Sequence, residues 1–433
     1  MADPADTNSK LPSCDAYFDA IQARKRLPIS LQESLTSAFA QIPVSSFPEV
    51  PGGKVIEILS DTSIIEAVRI LSEHDILAVP VRNSETTGID WRERYLGIID
   101  YSAIILWVLE NAELAAVALP VGSATVAGVG VGTIGALGAA ATGLTAVAAG
   151  AALAGGVATQ QSVAKDASVA VDYLGKDFYK LLLQEEPFKS TMVKSVVQSY
   201  RWVPFLPVAP DSPMLTVLLL LSKYRLRNVP VVELGKPYIK NFITQSAIVQ
   251  GLKQCEGRDW FDCIAACSLS DLGLPFMSYD KVISIKGDEL ILEAFKRMRD
   301  NRIGGLPVLE GPSRRIIGAV SIRDIRFLLL RPALFSTLRH LTVMDFINTK
   351  SSLCAEEGVS VASPVTCAPN SPLGSVIDSL ASKRVHRIYV VQGDECEVVG
   401  VVTLRDVISC FIYEPPGYFD NYFGGSMKEI LSQ

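Results

Sequence analysis

Between residues 290 and 324 the apolar positions change period twice. Leu290, Ala294 and Met298 recur every four residues, with Ile291 and Phe295 beside them, which predicts one helical face. Leu306-Pro-Val-Leu309 then reads as a short apolar strand whose proline suits the strand's start. Glu310-Gly-Pro-Ser-Arg-Arg315 is a polar turn rich in glycine and proline, and Ile316-Ile-Gly-Ala-Val320 is a second strand. Ser321-Ile-Arg-Asp324 opens a helix as a hydroxyl cap with an acid at the third helical position.

The same phrase recurs along the chain. A second copy runs from Thr216 through Asn228-Val-Pro230-Val-Val232. A further copy carries Val385-His-Arg-Ile-Tyr-Val-Val391, with Tyr389 in the proline's place, and closes on Thr403-Leu-Arg-Asp406. The intervals agree. Thirteen residues separate Ala67, Val217, Ala294 and Val376 from Pro80, Pro230, Pro307 and Tyr389. Eleven then separate Pro230 from Asn241, Pro307 from Gly318 and Tyr389 from Gly400. Pro80 to Gly97 is 17, so six extra residues lengthen the first hairpin. Matching intervals of both kinds mark an internal repeat.

Each unit of about 50 residues carries one small sheet that cannot bury both faces alone, so neighbouring units are expected to pair sheet to sheet. The predicted fold class is α/β (α+β), with four units in two modules. The first unit with its approach takes 41–110, the others 200–253, 280–331 and 363–414. An N-terminal extension, 1–40, carries a helix near 31–40. An insert at 111–199, linkers at 254–279 and 332–362, and a tail at 415–433 complete the chain.

Composition fits this division. The 433 residues predict two or three domain-sized units. At 49% apolar and 20% charged the chain is not largely disordered. A net charge of −6 supplies no basic balance to draw nucleic acid or an anionic membrane. Mean hydropathy, +0.29, is high for a soluble protein, but its source is local. Residues 114–164 are 51 positions without one charge, with ten glycines. The run is long enough to span a bilayer twice, yet few of its residues are Leu or Ile. It is expected to form a flexible or loosely helical surface loop, with self-association and membrane insertion as alternatives. Eight sparse cysteines without a Cys-x-x-Cys pair read as reduced thiols of a cytoplasmic or nuclear protein. The first 30 residues lack the apolar core of a signal peptide.

The repeat resembles tandem CBS motifs, each β-α-β-β-α and paired as Bateman modules. Four in one chain, with Val385-His-Arg-Ile-Tyr389, resemble the gamma regulatory subunits of AMP-activated and sucrose-nonfermenting-type kinases. Ile42-Pro-Val-Ser-Ser-Phe-Pro48, Arg201-Trp-Val-Pro-Phe205 and Glu414-Pro-Pro-Gly-Tyr-Phe419 are similar to the plant members. The resemblance implies a non-catalytic subunit that joins a kinase catalytic alpha chain and a beta scaffold chain. It also implies AMP, ADP or ATP as regulatory ligand, and no catalytic cofactor. In the family an aspartate at the start of each unit's last helix holds the ribose. The matching positions here are Ala103, Ala247, Asp324 and Asp406, and a methyl group cannot accept a hydroxyl's hydrogen bond. Asp324 and Asp406 are therefore the candidate ribose clamps, with helix capping as the simpler role.

For phosphate the candidates are His386 and Arg387, where the family carries a His-Arg pair; arginine offers a planar fork of donors. Arg227 and Arg302 lie in comparable territory before their strands, with a solvated stem as the plainer reading. Ser321 and Thr403 could reach ribose or phosphate, although capping is the more economical role. Arg323 and Arg405 read as solvent-facing helix residues. The chain contains no Gly-x-Ser-x-Gly elbow, no Walker loop and no His-Arg-Asp loop, so it does not read as the kinase itself. Two other roles stay open: a scaffold subunit with degenerate pockets, and a membrane-associated CBS regulator.

Overall fold

A computed structural model describes residues 16–86, 88, 90–110, 191–200, 205–233, 235–277, 279–331, 334, 340–356 and 363–419. The uncharged run 114–164 lies outside them. No helix among the described residues is long and apolar enough to cross a membrane.

The repeat read from the intervals is a repeat in space. The first unit contains β1 (Ile58–Leu59), the helix Ile64–Glu73, β2 (Ala78–Arg82), β3 (Tyr95–Asp100) and helical residues 101–110. The second contains the helix Met214–Ser222, β4 (Asn228–Val232), β5 (Ile239–Thr244) and the helix Gln245–Lys253. The third contains β6 (Ile285–Lys286), the helix Ile291–Asp300, β7 (Gly305–Glu310), β8 (Arg315–Ser321) and the helix Ile325–Leu329. The fourth contains β9 (Thr366–Cys367), the helix Leu373–Ser382, β10 (Arg387–Gln392), β11 (Glu397–Thr403) and the helix Leu404–Phe411. The second unit lacks a full first strand; a single parallel bridge, Val208 to Val231, stands in its place. The N-terminal extension supplies helices Ala16–Arg24 and Ile29–Gln41.

Register confirms the alignment residue by residue. Pro80 pairs with Ile98, Pro230 with Phe242, Pro307 with Ala319 and Tyr389 with Val401. In each hairpin the register shifts one or two positions later, between Val81 and Arg82, Val231 and Val232, Val308 and Leu309, and Val390 and Val391. A bulge at a fixed place twists every hairpin alike. Asp75, Arg225, Arg302 and Arg384 each take a left-handed φ of 50–57°, five residues before the proline or tyrosine position. The helix-face residues Ala67, Val217, Ala294 and Val376 are all buried. Burying each larger apolar neighbour, such as Phe295 or Met298, contributes about 1.5–3 kcal/mol. The lengthened first hairpin includes the short helix Trp91–Arg94, whose Trp91 stacks on Phe205 at 5.5 Å.

Neighbouring units pack strand residues together as expected. Tyr95 and Ile98 of unit one meet Val232, Ile239 and Phe242 of unit two, and Leu309 and Ile316 of unit three meet Val391 and Val398 of unit four. One edge contact adds to this. Units three and four join edge to edge, Arg315 of β8 opposite Glu397 of β11, in one sheet ordered β6-β7-β8-β11-β10-β9. Joining edges satisfies backbone groups that an open edge would leave to water. The largest apolar cores cross between modules. One gathers units one and three, including Ile64, Leu71, Phe295 and Leu328; the other gathers units two and four with the N-terminal helices, including Leu219, Val376, Val407 and Phe18. All four units thereby face one centre.

Candidate ligand site

At that centre lies a cavity of about 870 Å³ with walls from every unit. His74 and Asp75 come from unit one, Arg227 and Asn228 from unit two, Asp324 and Arg323 from unit three, His386 and Arg387 from unit four. The site therefore sits where strand ends of the units meet the helix starts of units two, three and four, at Thr244, Ser321 and Thr403.

Unit three presents the complete acidic element. Ser321 and Asp324 form a capping box, the Ser321 backbone N–H donating to Asp324 Oδ2 at 2.8 Å. Asp324 Oδ1 accepts from Lys350 Nζ at 2.8 Å. The carboxylate is 4% exposed and lines the cavity. Two partners leave lone pairs for further donors, since a carboxylate offers about four acceptor sites. Lys350 belongs to the helix Val343–Glu356 between units three and four, outside the repeat.

Unit four presents the cations. Arg387 Nη1 donates to the Gly305 carbonyl oxygen, and no carboxylate pairs with Arg387 among the described residues. The missing side chain of Gly304 admits this guanidinium: a Cβ there would lie 2.8 Å from Arg387 Nη2 and 3.8 Å from Arg227 Nη2. Two guanidiniums thus share one small space. Burial, then the guanidiniums of Arg323, Arg387 and Arg227, push the His386 imidazole down to about 4. The burial disfavours charge of either sign, whereas the guanidiniums give a positive potential that favours an anion.

The other predicted residues are placed less simply. Thr403 caps its helix, and Thr403 also lines the cavity. Asp406 does not line it. Its Oδ2 accepts from the Thr403 N–H and hydroxyl at 2.7 and 2.8 Å, and its Oδ1 accepts from the Tyr17 hydroxyl at 2.9 Å. Tyr17 belongs to the N-terminal helix, anchored by buried Phe18 and Ile21. Arg227 lines the cavity but is drawn toward unit one. Its Nη1 donates to Asp100 Oδ2 at 3.0 Å and to Ser102 Oγ at 2.6 Å. Arg302 is not its counterpart. Arg302 occupies the left-handed position shared with Arg225, and it lines not the main cavity but a narrow recess with Arg227, Ser102 and Met298. Ser321 lines the main cavity.

Arg323 and Arg405 do not face solvent. Arg323 reaches across to the Asp75 carboxylate and lines the cavity. Arg405 donates to the Ser222 carbonyl oxygen and lies 5.0 Å from the Tyr17 ring. Each spans to the module opposite, at the end of the helix in unit one or two. Lys350, Asp100, Asp75 and Tyr17 escaped the sequence reading. Only Asp100 left a signal there: it stands three residues before Ala103, the cap position held elsewhere by Thr244, Ser321 and Thr403, and it accepts from the Ala103 N–H at 2.9 Å.

Comparison with known proteins gives a consistent answer. The CBS domain family matches residues 271–331 and 357–413. The Arabidopsis thaliana SNF1-related protein kinase regulatory subunit gamma-1-like is 60% identical over 98% of this chain and 97% of its own. The gamma-1 subunit of the same plant is 36% identical over 92% of this chain and 88% of its own. Protein MJ1225 of Methanocaldococcus jannaschii shares the fold, with a TM-score of 0.51 and 14% identity over 84% of this chain and all of its own. With CBS domains matched in units three and four, and 60% and 36% identity to plant gamma subunits over nearly the whole chain, this chain belongs to the SNF1-related protein kinase regulatory gamma-subunit family.

Proposed function

We propose that this gamma-type chain is a non-catalytic subunit that binds an adenine nucleotide in the central cavity. It would pass that occupancy to a kinase catalytic alpha chain and a beta scaffold chain. One observation carries the reading: a buried carboxylate with spare lone pairs, Asp324, shares a cavity wall with His386 and the carboxylate-free Arg387. Asp324 takes ribose hydroxyls, and Arg387 with His386 takes phosphate, so the second module holds the ligand. AMP, ADP and ATP share the required ribose and phosphate. Arg227 adds positive potential from the first module.

Titrating the full chain with AMP, ADP and ATP by calorimetry tests this. Asp324→Asn, which retains a capping oxygen, and Arg387→Ala are each expected to weaken binding by about tenfold or more. Binding that ignores both substitutions refutes the site. A second reading, a scaffold with closed clefts, is favoured by the internal Tyr17–Asp406 and Asp100–Arg227 contacts. Co-purification with catalytic and beta chains, without nucleotide binding, would select it.

A further inference from the structure

Six buried side-chain polar atoms have no hydrogen-bond partner among the described residues, and three of them, Asn228 Oδ1, Arg323 Nε and the Tyr389 hydroxyl, belong to residues lining the central cavity. Buried polar groups are nearly always paired, so each of these residues, contributed by units two, three and four, leaves an atom that calls for a polar partner. Tyr389 is the most informative of the three. It is 2% exposed, and its phenol must either donate or accept. Asn228 is ambiguous by comparison, since the oxygen and nitrogen of its amide exchange places on a flip.

The backbone of Tyr389 is held from both sides. It pairs with Val401 of β11 and Thr366 of β9, and its N–H donates to the Val365 carbonyl oxygen at 2.9 Å. An interior strand of the six-stranded sheet therefore fixes where the ring points. Units one to three carry Pro80, Pro230 and Pro307 at the equivalent position, so unit four alone offers a hydroxyl there. The charges that act on the phenol are the Arg387 guanidinium and the Asp324 carboxylate, and burial pushes it up to about 12, so it keeps its proton at neutral pH.

We propose that the Tyr389 hydroxyl donates a hydrogen bond to a phosphate oxygen of the bound nucleotide and so selects phosphorylated adenosine over adenosine. The proposal rests on the nucleotide reading of the same cavity. Its chemistry is specific: a protonated phenol beside Arg387 adds a neutral donor to a cationic one, and the oxygen it meets must be anionic or strongly accepting.

The test compares AMP with adenosine on the full chain, wild type and Tyr389→Phe. Phenylalanine keeps the ring and its packing, and thermal melting of the variant checks the fold. AMP binding is expected to weaken by about ten- to a hundredfold, the range for losing a hydrogen bond to a charged group, while adenosine binding stays within twofold. Equal AMP affinity in both proteins overturns the proposal and leaves the nucleotide reading standing, since water then serves the phenol. Parallel loss for AMP and adenosine overturns it too, because the hydroxyl then acts through packing or the ribose. A wild-type chain that binds neither compound overturns the nucleotide reading and this inference with it.

Discussion

Arg227→Ala is expected to destabilise the first module sharply. Asp100 is 2% exposed at its side chain, against 27% for Arg227. The carboxylate has two described partners, Arg227 Nη1 at 3.0 Å through Oδ2 and the Ala103 N–H at 2.9 Å through Oδ1; the same guanidinium nitrogen also donates to the Ser102 hydroxyl. Removing the arginine strands a buried charge on one backbone donor. Breaking such a pair costs about 3–5 kcal/mol, and the partial exposure of Arg227 places this case near the lower figure. For a unit of roughly 150–250 residues, about 3 kcal/mol lowers the melting temperature by roughly 6–12 °C. Differential scanning calorimetry of wild type, Arg227→Ala, Asp100→Asn and the double variant measures it. Asparagine keeps an oxygen for the Ala103 N–H but carries no charge, so the double variant should be more stable than Arg227→Ala alone. Additive losses, or a melting temperature of Arg227→Ala within 1 °C of wild type, would refute the pairing argument.

Two further outcomes follow from the same geometry. Tyr17→Phe removes one donor from buried Asp406, so stability should fall by about 1–3 kcal/mol in a urea titration, while AMP affinity stays unchanged because Asp406 is off the cavity wall; an unchanged urea midpoint contradicts the first half, a changed AMP affinity the second. His386, pushed by burial and its arginine neighbours from an ordinary 6.5 to about 4 in the folded chain, takes up its proton in the unfolded chain first. Stability therefore falls as pH drops from 6.5 toward 4, on the order of 2 kcal/mol by pH 5, and His386→Gln should flatten that part of the profile; the same slope in both proteins would show that other groups cause it.

The sequence made the repeat readable because its information is local. A bulge, a capping box and a left-handed residue after a helix each need only a few neighbouring side chains, so equal intervals became equal geometry at Pro80, Pro230, Pro307 and Tyr389. Asp324, Ser321, His386, Arg387 and Arg227 could be named because the resemblance carries over at repeat positions, and each of them lines the cavity. Residues that act across units left no such trace. Lys350 and Tyr17 lie in segments outside the repeat, and nothing in their spacing ties them to Asp324 or Asp406. Arg323 and Arg405 look polar and exposed on their own helices because the carboxylate and carbonyl that receive them belong to the opposite module. The pairing of unit one with three and two with four is likewise invisible to intervals, since apolar helix faces specify burial but not a partner.

That cross-module arrangement bears on how occupancy could be transmitted under the proposed function. A ligand shifts an equilibrium only by what it binds differently in two states. Here Arg323 lines the cavity and is also the tie to Asp75, which stands at the left-handed turn ending the helix Ile64–Glu73 of unit one. A phosphate in the cavity would compete with Asp75 for the same guanidinium. The two arrangements, arginine on aspartate and arginine on ligand, differ by one exchange of anions and place the change in the module that lacks both ribose-clamp carboxylates. On this view the first module is the part that responds, and the second is the part that holds the ligand.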